Sequence, residues 1–166
     1  MIETLIQWVS IFPPELASAV LAALPVTELQ AALPVALFVF KLPPLTAYLS
    51  TVLGNLVPLF FLYLFLPRFM NWTLTHAPKI KQRLDRWFNA LGKKHEEAYS
   101  KWGAFFLFLA VVIPLPGTGV WTATVLAIFF QIKRELAIPC IIVGQFIAGL
   151  IVLAFAQGVF QGLKLL

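Results

Sequence analysis

A chain of 166 residues that is 61% hydrophobic and 11% charged, with a mean hydropathy of +0.92, is expected in a membrane rather than in water. Its apolar runs are too long and unbroken for the alternating strands of a membrane β-barrel, which leaves an all-α integral membrane protein of one domain. The net charge of +5 suits cytoplasmic loops and anionic lipid rather than nucleic acid, and Cys140, being alone, excludes an internal disulfide.

In chain order, MIETLIQWVSIF places Leu5, Trp8, Val9 and Phe12 at helical spacing and stops at Pro13-Pro14. Residues 1–12 are expected to form an interfacial helix too short to cross, and with an acid and no base they make a poor signal-peptide start. Residues 13–67 read as a first unit. An apolar limb from Pro14 reaches a turn at Pro25-Val26-Thr27-Glu28, a second limb ends at Lys41, and residues 44–66 suffice for a full crossing. Pro34 is the competing turn, but it leaves only Val35–Phe40 for the return; it is assigned a bend in the second limb instead.

Residues 68–101 turn basic, with Arg68, Lys79, Lys81, Arg83, Arg86, Lys93, Lys94 and Lys101. Ile80, Leu84, Trp87, Phe88 and Leu91 share one helical face between Pro78 and Gly92, the pattern of an amphipathic helix on the cytoplasmic surface. His76 and His95 lack ligand spacing and are read as surface residues, with no metal.

Residues 102–162 form a second unit. No charged residue falls between Lys101 and Lys133, yet the middle of this run is Pro114-Leu115-Pro116-Gly117-Thr118-Gly119, which a continuous helix does not tolerate. The economical reading is a re-entrant hairpin: Trp102–Ile113 descends, the segment turns, and Gly119–Gln131 returns. Each limb spans ~18–20 Å against a hydrocarbon core of ~30 Å, so the turn lies at membrane depth, where only protein or a wet cavity satisfies irregular backbone. One long kinked helix is the alternative. Residues 136–161 make the last crossing.

The two units share a plan. Pro25 to Gly54 is 29 residues and Pro116 to Gly144 is 28, with basic residues Lys41 and Lys133 closing the second limbs and Asn55 and Gln145 following the glycines. This predicts an inverted repeat of two re-entrant hairpins and two full transmembrane helices. With the basic linker cytoplasmic, ten of the twelve Lys and Arg residues lie on that side, and only Lys41 and Lys164 lie outside. Both termini of this plasma-membrane protein are then external.

At ELQAALP (Glu28–Pro34), LGN (Leu53–Asn55) and IPLPGTGVW (Ile113–Trp121), the chain resembles the small multidrug export proteins. That family is similar in plan to the DedA/VTT superfamily of lipid transporters and scramblases. The likeness runs from about Pro14 to Ala156 and is most specific at IPLPGTG. It implies two inverted hairpins facing each other near the midplane, and transport of an amphipathic or phospholipid-like substrate. The chain departs from the pattern at Gln30, where arginine is expected, which puts an acid–base pair there in doubt.

Several residues are candidates for the work. Thr27 and Thr118 are read as N-caps of the returning limbs, whose amino ends would point positive dipole ends and free N–H groups inward at an anion. Pro25, Pro114, Pro116, Gly117 and Gly119 complete the two hairpin tips as substrate-binding positions. Glu28 stands out, because an acid near the bilayer centre costs ~2.5–3.5 kcal/mol and such groups line pathways or carry protons. Desolvation favours its protonated form, while the dipole of its own helix favours the carboxylate. Asn55 and Gln145 are expected either to bond between helices or to line the path with Glu28. Lys41, Lys133 and Arg134 are mouth charges that attract anionic lipid or anchor the interface. Trp102 and Trp121 are read as packing or belt residues. Thr122 and Thr124 can bond their own helix. No Ser-His-Asp set, metal spacing or P-loop is present, so neither catalysis nor a cofactor is expected.

The expected function is a transporter or scramblase of a lipid-like or amphipathic anion, proton-coupled through Glu28 and partnered by membrane lipids. An exporter of cationic compounds and a non-transporting scaffold are the alternatives. Two crossing helices give the hairpins little shelter, so a homodimer is expected.

Overall fold

The structure, a computed structural model, describes residues 2–76, 82, 102–114 and 118–164. The expected amphipathic helix at Ile80–Leu91 lies outside those residues, as do Leu115, Pro116 and Gly117 of the second turn. Among the described residues every regular element is a helix: α1 Ile2–Val9, α2 Pro14–Ala23, α3 Glu28–Phe38, α4 Pro44–His76, α5 Trp102–Val112, α6 Val120–Phe129 and α7 Arg134–Lys164.

Two of these helices are long and apolar enough to cross a membrane, over Pro44–Met70 and Arg134–Gly158. The others are too short. α4 does not end near Leu66 as the sequence suggested. It continues through Pro67 to His76, with Pro58 also inside it. The helix thus carries Arg68 within it, and the guanidinium of Arg68 bonds back to the carbonyl of Leu64.

The packing follows the rule for helices in lipid, where the interior is made of small residues that let backbones approach. Ala17, Ala22, Ala32, Ala36, Ala47, Ala123, Ala127 and Ala137 are all buried. Large side chains turn outward: Leu45, Leu49, Leu53, Val57, Phe60, Phe61 and Leu64 make an exposed stripe along α4. In water such a stripe would be an aggregation face, whereas lipid tails solvate it at no cost. α2 lies on α3 and α4, while α3 and α6 each touch both long helices. α1 rests on α2 through buried Val9, leaving Trp8 exposed.

The two halves use matching devices. In α3 Leu29, Ala32, Leu33 and Ala36 are buried, and 91 residues further on so are Val120, Ala123, Thr124 and Ala127 of α6. Gly54 of α4 presses on α2, where a Cβ would come within 2.7 Å of the Ala19 carbonyl carbon. Gly144 of α7, 90 residues on, presses on α5, where a Cβ would meet the Phe108 oxygen at 3.2 Å and Val111 Cβ at 3.1 Å. A residue of positive φ follows each second short helix, Lys41 at 55° after α3 and Gln131 at 53° after α6. The next amide then folds back, Leu42 onto Ala36 and Ile132 onto Ala127.

Those wraps explain the unequal spacings of 29 and 28 residues. The first encloses one residue more than the second, because α3 closes through Ala36 where α6 closes one position nearer. By backbone geometry the counterpart of Lys41 is therefore Gln131. The pairing of Lys41 with Lys133 as landmarks is corrected.

α4 and α7 run antiparallel. Arg134 stacks over the Tyr63 ring at 5.7 Å near one end, and Gly149 lies against Tyr48 and Val52 toward the other. That register brings Gln145 level with Asn55.

Candidate functional site

The turn after α2 closes tightly. Leu24 N–H donates to Leu21 O at 3.2 Å, and Glu28 N–H donates to Leu24 O at 2.9 Å. Pro25 and Val26 stay exposed, while Thr27 and Glu28 turn inward and are buried. Glu28 adopts φ 41°, a left-handed backbone that non-glycine residues take at a cost of about 1–2 kcal/mol. Such outliers persist where surrounding structure holds them, and they cluster at functional sites.

The second turn arrives opposite the first. Gly103 at the start of α5 abuts the Ile132 side chain after α6, so the two helices form a hairpin that brings Thr118 and Gly119 to its tip. A Cβ on Gly119 would lie 2.9 Å from Glu28 Cδ and 3.2 Å from Oε1. The carboxylate of the first tip thus rests on the backbone of the second. Gly119, at φ 156° and ψ −165°, occupies a region open in practice to glycine alone.

Two hydrogen bonds cross between the tips. Gln30 Nε2 donates to Thr118 O at 3.0 Å, and Trp121 Nε1 donates to Ala23 O at 3.1 Å. Gln30 and Trp121 are 91 residues apart, the same offset that relates the buried faces of α3 and α6. Each half therefore sends an N–H donor from the same place to the backbone of the other. The packing role first given to Trp121 is accordingly too narrow, and Gln30, noted only as a departure, is a contact residue. The offset marks the two positions as a pair, though not the partners that they bond.

The threonines behave differently from expectation. Thr27 stands at the N-cap position of α3 but makes no capping bond; its hydroxyl donates to Leu21 O. Thr118 is not the N-cap of α6 at all, since that place belongs to Gly119, and its hydroxyl donates to Ile113 O at 2.9 Å. Both satisfy a carbonyl at the end of the preceding helix, which leaves its last acceptors orphaned. Thr124 does bond its own helix, at Val120 O.

Asn55 and Gln145 are 1% and 2% exposed, yet Asn55 Oδ1 and Gln145 Nε2 have no hydrogen-bond partner. The expected bond between helices is not made by these atoms. A buried unpaired amide atom costs about 1–3 kcal/mol, so its presence at matching places in both long helices calls for a use. Pro114 is half-buried near the second tip, while Lys41, Lys133 and Arg134 are exposed and far from it in sequence. Among the described residues no group of three His, Cys, Asp or Glu could hold a metal ion.

A family model described as "Putative small multi-drug export protein" matches residues 28–151, which begin at Glu28 and take in α4, the second tip and α7 as far as Ile151. No curated protein and no solved structure matches the chain. Its match runs through most of the chain and every contact between the tips except Ala23, and the chain belongs to that family.

Proposed function

We propose that this protein is a membrane transporter in which two inverted halves, each a re-entrant hairpin and a crossing helix, hold substrate between their tips. The observation that carries the reading is the reciprocal contact from equivalent positions, Gln30 to Thr118 O and Trp121 to Ala23 O, around the Glu28 carboxylate. Inverted halves built from broken helices, with a site where half-helix ends meet, are a recurring transporter design. Rocking one half against the other would part the tips on alternate sides.

The substrate that suits two converging helix amino ends is an amphipathic anion, a phosphate-bearing lipid head group being the natural size. Asn55 and Gln145 offer an acceptor and a donor along the path, and Glu28 is the group to exchange a proton against substrate. In vesicles containing the purified protein, Glu28→Gln is expected to cut lipid-phosphate flux or flatten its response to pH. Unchanged flux would reject this role.

A second reading, export of cationic compounds, is favoured by the same carboxylate, since no hydrogen bond or ion pair reaches it among the described residues, and by the family description. There Glu28 is the counter-charge. Accumulation of a cationic dye in cells that make the protein, against cells that do not, separates the two. We also assign a homodimer, because Pro25 and Val26 stay exposed at a tip that belongs at membrane depth. Cross-linking in native membranes checks it.

A further inference from the structure

α6 begins with an amino end that its own residues leave unneutralised. Its N-cap is Gly119, which has no side chain to cap with, and no acid stands in its first turn or in that of α4, whereas α2, α3 and α7 carry Glu15, Glu28 and Glu135 there. A helix start of this kind carries roughly half a positive charge on its unbonded N–H groups and draws negative charge. The negative group found beside it comes from the other hairpin. Glu28 is 8% exposed, and both the Cδ and Oε1 of its carboxylate lie within 3.2 Å of where a Gly119 Cβ would be. A carboxylate placed there as a fixed cap would hydrogen-bond the first-turn amides. Among the described residues no hydrogen bond reaches this carboxylate, so the helix field and packing hold it, and it can leave.

We propose that the Glu28 carboxylate is a tethered stand-in for the substrate's anionic group: it occupies the amino end of α6 at Gly119, and an incoming anion binds by displacing it. The inference rests on taking the tip contact as the transport site, and it assigns that site's preference to anions over cations. It also gives the left-handed backbone of Glu28 a use, because that conformation accompanies a side chain that reaches the opposite tip instead of its own helix. Without substrate the two amino ends are neutralised from within. With substrate bound, the glutamate swings clear, and its return drives release.

The test is binding of two small probes of opposite sign to purified protein by titration calorimetry. Hexyl sulfate stays ionised at all working pH values, and hexyltrimethylammonium matches its length. Removing a competing internal anion should tighten hexyl sulfate binding by about threefold to tenfold in Glu28→Gln, the range a helix end supports. Hexyltrimethylammonium should bind no better. Glu28→Asp, one methylene shorter, should show a smaller gain, and it decides the matter should Glu28→Gln not fold. Equal hexyl sulfate affinity in wild type and variants overturns the stand-in while leaving the transport site in place. Weaker sulfate binding, or a loss confined to the ammonium probe, overturns it in favour of Glu28 as a direct ligand. Failure of both probes to bind any form rejects the transport site and the stand-in together.

Discussion

Gly119 has little freedom to change. Alanine there meets two separate penalties, a backbone conformation that L-residues avoid and a Cβ that would overlap the Glu28 carboxylate. The first is worth about 1–3 kcal/mol and stays whatever Glu28 becomes. Gly119→Ala is expected to lower the thermal midpoint in detergent, and adding Glu28→Ala should restore only the part due to overlap. Full restoration would mean that the backbone of Gly119 carries no strain. At this scale the sequence was legible where chemistry alone decides. Proline marked the first turn at Pro25, and an acid in an apolar run singled out Glu28, which is buried. It misled at Thr27 and Thr118. A threonine ahead of a helix is usually its cap, but here a carbonyl left over from the preceding helix lay within reach, and the hydroxyl took that acceptor instead.

Elements pack at the two matching glycines, which differ in what they touch. Gly54→Ala would drive a methyl into the Ala19 backbone, which cannot move without separating α2 from α4, at a cost of about 1–3 kcal/mol. Gly144→Ala needs only a few tenths of an ångström from Val111 and Phe108. Alanine gains about 1 kcal/mol over glycine inside a helix. The overlap therefore wins at Gly54, and the propensity offsets it at Gly144. Unfolding of the two variants in mixed micelles should show Gly54→Ala destabilised and Gly144→Ala near wild type; the reverse order would contradict the packing. The tip bonds belong to this scale too. Trp121→Phe keeps the ring but loses the donor to Ala23 O, an effect of about 1 kcal/mol. If Gln30 and Trp121 act as one clasp, combining Trp121→Phe with Gln30→Leu should depart from additivity by about 0.5 kcal/mol or more. Simple additivity would make them two unrelated contacts. Neither bond could be read from the chain, because each joins residues 88 or 98 positions apart, and local pattern carries no such information. The one-residue difference between the two spacings was visible, but not its location in the wrap after α3.

At the scale of the molecule the question is which ends share a side of the membrane. Gly103 against Ile132 puts the start of α5 and the end of α6 together. Lys41 closes the first hairpin in the same way at the far end of α4 from Tyr63, while Arg134 stacks on Tyr63. A membrane laid across Pro44–Met70 and Arg134–Gly158 then has Trp102 and Lys133 on one face and Lys41 on the other. On the sequence alone the first face is the one expected in the cytoplasm, because ten of the twelve basic residues fall in the segments expected on that side. Single cysteines at positions 41, 102 and 133, in a Cys140→Ala background, are expected to divide in that way under an impermeant maleimide. In intact cells only position 41 should react, and positions 102 and 133 should react together after permeabilisation. Positions 102 and 133 reacting from different sides would mean that the PLPGTG run passes through the bilayer as one kinked helix. The second tip would then be absent, and the backbone on which the Glu28 carboxylate rests would lie elsewhere.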